Sequence, residues 1–516
     1  MMERSHINPG SAAAHERPAP PRPPVSPRSS APAQGRRPEP GHEPGHEQTT
    51  APTWPGAADT WEAAATKTAT LPAHLARQAA LRPDAAALRQ KSRGRWTTWS
   101  WAELADEVGA VARGLAALGF DGGDVLVVLG HGHTTRRQLV LTLAAQARGG
   151  AVLAVADGLD PATVAALVRI SGARYAFASD QRQVERALAA VVENTRATGA
   201  TGALAAPRFS AIVFDDGRGL GAGYPDLPLH GYDAVRRSGA AAPPDGDRAR
   251  PPQAGARALG VWLADDSGWA DHHEHQADGR GAEVGDAVDV DIGPLRWLTH
   301  AELVEGTLVR AAAGQAGAAL AADDDALSVQ PLSSRAGALA LAEWQLSGLC
   351  LSCAEADGSP EHDRREVAPT VLIASTGWYA RLWQDVDRRL PPPGSWRRRL
   401  VGAALDRSAR ASAAAQPAAV PAPFASRPLG RPLARVADTL VARPLSRALG
   451  LGRTRLAISV GPRPLGPAEA HLLSALGIRT HHLCLVDAPG ASAGSSSEAA
   501  RPAPSDRRSA APSASS

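Results

Sequence analysis

The stretch RWTTWSWAELADEVGAVARGLAALGFDGGDVLVVLG, Arg95 to Gly130, decides how the rest of the chain is read. Ser100 and Glu103 form an S-x-x-E pattern, in which each side chain bonds the other's backbone N–H at a helix start. Leu104, Val108, Val111, Leu115 and Leu118 then recur every three or four residues, which lines one helix face, and Gly119 ends the run. VLVVLG follows with no polar side chain on either face. A strand apolar on both sides has to be covered on both sides, so the stretch predicts a parallel sheet with helices over each face.

The same alternation extends in both directions from Leu71 to Val192. A helix through Leu139, Leu143 and Ala147 leads to a strand, AVLAVA; Pro161 opens a helix carrying Val164, Leu167 and Val168; Gly172 closes it before the strand RYAFASD. From about Thr195 to Pro294 the composition turns loop-rich, with glycine runs. The pattern then resumes: a helix opening at THAE, the strand ALSVQPL, a helix through AGALALAEWQLSGL, strands LCLSCAE and PTVLIAS, and the helix GWYARLWQDV. The helix VADTLVARPLSRALGL and the strand RLAISV complete a second α/β layer system. PPPGSW and the Ala/Pro-rich span from Ala411 to Pro428 are expected to be a surface insertion. The expected organisation is a tail over 1–70, a folded body over 71–487 with insertions near 235–295 and 408–428, and a Ser/Ala tail over 488–516.

Composition narrows the class. Both tails are too poor in apolar residues to offset ordering entropy and are expected to be disordered. In the 516-residue chain a net charge of +3, with Arg and acids intermixed, gives no argument for nucleic acid. Lys67 and Lys91 are the only lysines. Cys350, Cys353 and Cys484 do not make a disulfide framework, which points to a reducing compartment, and no apolar run has the length of a membrane span. A soluble, cytoplasmic protein is expected.

Several phrases in order resemble the AMP-forming long-chain fatty-acyl-CoA synthetases of the adenylate-forming superfamily. They are LPAHLARQAALRPDAAALR, the Arg95–Gly130 stretch, LVLTLAAQARGGAVLAV, the D-x-G-R-G-L-x-x-x-Y phrase from Asp215 to Tyr224, LTHAEL, ALSVQPL, EVAPTVLIAS, and LVARPLSRALGLGRTRLAISVGPRPLGPAEAHLLSALGI. The resemblance spans about Leu71 to Ile478 and implies an α/β fold of two doubly wound (αβαβα) subdomains. It also implies a two-step reaction with ATP, Mg²⁺ and CoA, in which a carboxylate attacks the α-phosphate and the CoA thiol then displaces AMP. A fatty acyl chain or a nucleotide would be the ligand.

The residues depart from that family where the chemistry is done. Ahead of LTHAEL the family places a glycine- and hydroxyl-rich phosphate loop, and this chain has VWLADDSGWADHHEHQ. Only Ser267 and Gly268 match, and Asp265, Asp266, Asp271 and Glu274 would repel a triphosphate. Losing one placed donor costs about 3 kcal/mol of transition-state stabilisation, so losing the set is expected to be severe. The phrase P-L-x-H-x-x-E is here PLSSRAG, with Ser334 and Gly337 at the histidine and acid positions. Asp487 in LCLVDAPG falls where the resemblance implies a metal-binding glutamate. The chain becomes a Ser/Ala tail soon after Gly490, so the ribose-binding acid, the hinge and the lid domain with its catalytic lysine are expected to be missing, and Lys67 and Lys91 lie too early to replace that lysine. Thr299 and Glu302 are expected to cap the following helix.

Ser267, Gly268, Thr299 and Asp487 are thus the positional candidates for cofactor binding, with no catalytic or metal-ligating residue assigned. Other motifs have plainer readings. His272, His273, Glu274 and His275 read as a solvated loop, and GHEPGHE as a short repeat in the first tail. Cys350 and Cys353 sit in a strand rather than at a helix start. GRGLGAG is not a strand-to-helix dinucleotide turn, and His131 and His133 read as surface residues. The leading expectation is a catalytically degenerate relative that keeps the binding scaffold. An active acid–CoA ligase with replaced loop residues and a protein that docks a partner are the alternatives.

Overall fold

The computed structural model describes residues 70–130, 134–197, 209–215, 228–243, 252–262, 295–307, 320–355, 359–415 and 438–483. Both tails lie outside these residues. The first half comprises α1 (Leu71–Leu81), β1 (Ala86–Ser92), β2 (Arg95–Ser100), α2 (Trp101–Ala117), β3 (Val125–Leu129), α3 (Arg136–Ala147), β4 (Ala151–Val155), α4 (Pro161–Ser171), β5 (Tyr175–Ala178), α5 (Gln181–Ala197), β6 (Ala211–Phe214), β7 (Leu229–Gly231), α6 (Tyr232–Ala241), β8 (Arg257–Trp262) and β9 (Leu295–Thr299). The second comprises α7 (His300–Glu305), β10 (Asp325–Ser328), α8 (Arg335–Ser347), β11 (Cys350–Cys353), α9 (Pro360–Val367), β12 (Val371–Ser375), α10 (Thr376–Arg389), α11 (Trp396–Ala415), a π-helical turn (Asp438–Ala442), α12 (Arg443–Ala448), β13 (Leu456–Val460), α13 (Pro467–Ala475) and β14 (Arg479–Leu483).

The reciprocal cap expected at Ser100 is present: its Oγ accepts from the Glu103 N–H at 3.2 Å, and Glu103 accepts from the Ser100 N–H at 2.8 Å. β3 and β4 are buried at every position, as strands apolar on both faces require. Two seven-stranded sheets result, ordered β7-β6-β5-β3-β4-β8-β9 and β14-β13-β12-β10-β11-β1-β2. In each, five parallel strands share one winding, with the second strand of the series on one side of the first and the third on the other. A hairpin then completes the sheet beside that second strand.

The two hairpins differ in where the chain supplies them. β8 and β9 follow their own sheet, but β1 and β2 precede every other described strand and join the sheet built by the end of the chain, with Leu88 beside Leu351 in a parallel pair. This exchange locks the halves together, and one continuous core contains side chains from both. At its centre Trp101 of α2 stacks on Trp344 of α8, with ring centroids 5.6 Å apart, and the Trp344 indole donates to the Ala87 carbonyl at 2.9 Å.

Several expectations are corrected. The span near 235–295 is not simply an insertion: it holds most of α6 and all of β8, whose Ala258, Leu259 and Val261 are buried. RALGVW gives a weak strand signal because it opens on Arg257 and carries Gly260, although Gly260 stands where the Trp297 ring and Leu153 leave little room. Residues 244–251 and 263–294 lie outside the described residues. The insertion near 408–428 likewise begins inside α11, where Ser408 and Ala409 are buried. The loop-rich middle also contains β6, a fully buried AIVF, and β7. α9, α13 and β14 are further elements beyond the predicted set.

α2 and α6 cross with their backbones nearly touching. A methyl group on Gly239 would overlap the Ala110 carbonyl oxygen, and one on Gly114 would overlap the Val235 carbonyl oxygen, so both positions require glycine through close approach. Gly239→Ala is expected to lower stability by about 1–3 kcal/mol, read as a shift of the urea midpoint without loss of secondary structure.

His300 opens α7 at 1% exposure, and its Nδ1 accepts from the Leu71 N–H at 3.3 Å, which ties the first helix to the seventh. Burial lowers its pKa from 6.5 to about 4. The unfolded chain therefore takes up a proton as pH falls below 6.5 while the folded chain does not until about 4. Stability is full above that range and declines by about 2 kcal/mol between pH 6.5 and 5. Urea titrations at several pH values are expected to show a flatter slope in His300→Gln than in the parent.

Candidate functional site

In doubly wound sheets ligands sit beyond the carboxyl ends of the strands where the winding reverses. Here those points fall between β3 and β5 in one sheet and between β10 and β12 in the other. The loops leaving β3 and β10 meet. Thr134, buried after β3, donates from Oγ1 to the Gln330 carbonyl after β10 at 2.9 Å. The Arg136 N–H donates to Gln90 Oε1 at 2.9 Å, and Gln90 Nε2 donates to the carbonyls of Ala354 at 2.9 Å and Cys353 at 3.3 Å. Four strand ends, those of β1, β3, β10 and β11, are thus held in one seam.

Three cations around this seam are already engaged. Arg136 makes a two-toothed ion pair with Glu107 and lies over the Trp99 ring at 4.3 Å. Arg137 pairs with Asp215 at the end of β6 and with Asp233 at 3.3 Å, and lies over the Tyr232 ring at 4.5 Å. The Tyr232 hydroxyl donates to Glu107 at 2.7 Å, and burial pushes its phenol well above the usual range. Burial also raises the Asp215 carboxyl, against the opposing pull of Arg137. Lys91, at the carboxyl end of β1, is buried and bonds Asp363 at 2.7 Å and Glu366 at 2.6 Å, which hold its ammonium above its ordinary range.

Helix starts near the seam are occupied in the same way. Thr135 and Gln138 form a reciprocal cap on α3, Ser334 accepts from the Gly337 N–H at 3.0 Å on α8, and Ser375 accepts from the Trp378 N–H at 3.2 Å on α10. One N–H at each start is therefore bonded to the helix's own cap rather than turned to a ligand. Ser334 also donates to the Pro331 carbonyl at 2.8 Å. A side chain at Gly337 would overlap that same carbonyl, so the position implied for an acid cannot carry one on this backbone.

Of the sequence candidates, Thr299 lies at the end of the edge strand β9 and caps α7 reciprocally with Glu302. Ser267, Gly268 and Asp487 lie outside the described residues, as do His131, His133, the DHHEHQ run and the GRGLGAG phrase. Cys350 and Cys353 are buried in β11, with thiols pushed up to about 11 and about 12 by burial, which is the opposite of a reactive pair. Among the described residues no group of three or more His, Cys, Asp or Glu is placed to hold a metal ion, and no helix is long and apolar enough to cross a membrane. Thr134, Gln90 and Gln330 were not singled out from sequence. The T-x-x-Q box at Thr135 and Gln138, separated from VLVVLG by four residues, was the available signal for the α3 start.

A family model described as AMP-binding enzyme matches residues 75–213. No curated protein matches the sequence. The fold is similar to the A domain of carboxylic acid reductase from Segniliparus rugosus in complex with AMP and a co-purified carboxylic acid, at 16% identity and TM-score 0.51, over 80% of this chain and 59% of that one. It is similar to the adenylation domain of the carboxylate reductase from Mycobacterium chelonae at 17% identity and TM-score 0.51, over 80% and 57%. For the A-PCP didomain of the Segniliparus rugosus enzyme in complex with AMP, the values are 17%, 0.52, 80% and 51%. This chain thus spans less than two thirds of the length of each of these structures. The family match runs from α1 into β6, short of the last strand of the first winding, and the two-sheet α/β fold is that of the large domain in these adenylation-domain structures.

Proposed function

We propose that this protein is a degenerate member of the adenylate-forming superfamily, which binds a nucleotide or a carboxylic acid at the seam between the sheets and does not activate it. The observation that carries the reading is the turn after β10. There Gly337 lies against the Pro331 carbonyl and Ser334 is committed to capping α8, so neither residue is free for the role that the resemblance to the fatty-acyl-CoA synthetases implies.

Adenylation builds negative charge on phosphate oxygens and needs cations and N–H donors aimed at them before the reaction starts. The seam residues do not fit a triphosphate with its magnesium. Arg136, Arg137 and Lys91 are each neutralised by carboxylates, and withdrawing any of them would strand a partly buried acid. The sequence VWLADDSGWADHHEHQ, with four acids in place of a phosphate loop, supports the same reading. A monoanionic acid or a nucleoside monophosphate asks for less charge, and the space beyond the carboxyl ends of β3 and β10, where both windings reverse, is the proposed place for its polar end.

The test is a pyrophosphate-release assay with ATP, Mg²⁺, CoA and a panel of fatty acids, run beside calorimetric titration with AMP. The expected outcome is an AMP or acyl-ligand isotherm with turnover no higher than a heat-killed control. Turnover above that control would instead support an active acid–CoA ligase. Gly337→Glu, which installs the acid of the family phrase, is expected to cost about 3 kcal/mol of stability and to bring no turnover.

A further inference from the structure

α11 is seated by one face only. Leu405 and Ala409 pack on Ala475 of α13, with Val401, Val441 and Leu445 around them. The opposite face is open, and its first turns carry Trp396 at 66% exposure and Leu400 at 61%. Spacings of four and seven residues bring Trp396, Leu400 and Arg407 onto one stripe of the helix. Large apolar side chains held out in water at a fixed place on a well-anchored helix are a cost that packing does not explain. The anchor is firm: Ser395 caps the start by accepting from the Arg398 N–H at 3.2 Å, and Arg398 is ion-paired to Asp387.

The charges around the stripe are mostly positive. Arg397, Arg399, Arg407 and Arg410 are exposed, and among the described residues none of them pairs with a carboxylate. The one acid of this helix, Asp406, is exposed and lies 3.0 Å from His471 Nε2. The Arg397 guanidinium lies over the Trp396 ring at 5.5 Å, so a cation and an aromatic ring are presented together.

We propose that the outer face of α11 is a docking site for an anionic lipid surface. Trp396 and Leu400 would enter the region between headgroups and acyl chains while the four arginines meet lipid phosphates, the arrangement by which amphipathic helices lie in a membrane interface. An acidic protein would satisfy the arginines equally well. The lipid surface is favoured because an exposed tryptophan and leucine stand among the cations, with a guanidinium over the indole ring, a combination suited to the boundary between headgroups and acyl chains. The inference is independent of the ligand proposed for the seam, which lies on other elements.

The experiment is flotation of the full-length protein with vesicles of phosphatidylcholine alone and of phosphatidylcholine mixed with phosphatidylglycerol, at physiological salt. The protein is expected to float with the mixed vesicles and not with the neutral ones. The R399E/R407E and W396A/L400A variants, whose side chains are exposed and whose melting temperatures should match the parent, are each expected to bind about tenfold more weakly or worse. Both variants keep the arginine-rich first tail, so flotation equal to the parent would assign the binding to that tail and overturn the proposal. Equal flotation with neutral vesicles would overturn it too. So would no flotation together with a stoichiometric acidic protein partner that R399E/R407E loses.

Discussion

The parallel pairing of β1 with β11 is the contact on which the architecture rests. It places a strand from the start of the folded body beside one formed 263 residues later, at the Leu88–Leu351 register, and thereby makes the second sheet depend on the first half of the chain. Everything near the seam inherits its position from this pair. Gln90 can bridge to Cys353 and Ala354 only because β1 and β11 are neighbours, and Lys91 reaches Asp363 from the same strand end. Trp344 bonds the β1 carbonyl of Ala87 for the same reason.

A seam held by paired charges is rigid and electrostatically quiet. Each ion pair there is partly or wholly buried, and such a pair loses most of its attraction to desolvation while making the removal of one partner expensive. Sites that perform acid–base or phosphoryl chemistry instead keep groups whose charge is poised to respond to a reacting atom. Here Arg136 and Arg137 are paired with Glu107, Asp215 and Asp233 and stacked on Trp99 and Tyr232, an arrangement that ties the start of α3 to α2, α6 and the end of β6.

How much of this the sequence disclosed follows from the range of the forces involved. α2 and β3 were legible because their signals are local: a cap at Ser100, a helical period through Leu118, and VLVVL with no polar face. The shared hairpin was not, since AALRQKS and RWTTWS are mixed in polarity and their partner is remote in sequence. α6 was hidden by composition. YDAVRRSGAA carries a glycine that reads as a breaker, whereas its purpose is to let two helix backbones meet. At the site, the departures from the family phrases at Ser334 and Gly337 were visible as spelling, but their commitment to a cap and to a close backbone contact required coordinates. Gln90, Thr134 and Gln330 gave no sign at all, because a lone amide or hydroxyl acquires meaning only from what lies across from it.

The order in which the strands are made adds a constraint of its own. β1 and β2 are synthesised first among the described strands, yet the place they fill in the second sheet does not exist until β11 emerges, so at ribosomal rates the hairpin waits for roughly 13–50 s with an unpaired edge. The first winding, β3 to β7, can close during that interval, which makes the nascent protein a finished half with an orphan ribbon attached. A premature stop before β11 would leave that ribbon permanently open to pairing with other molecules.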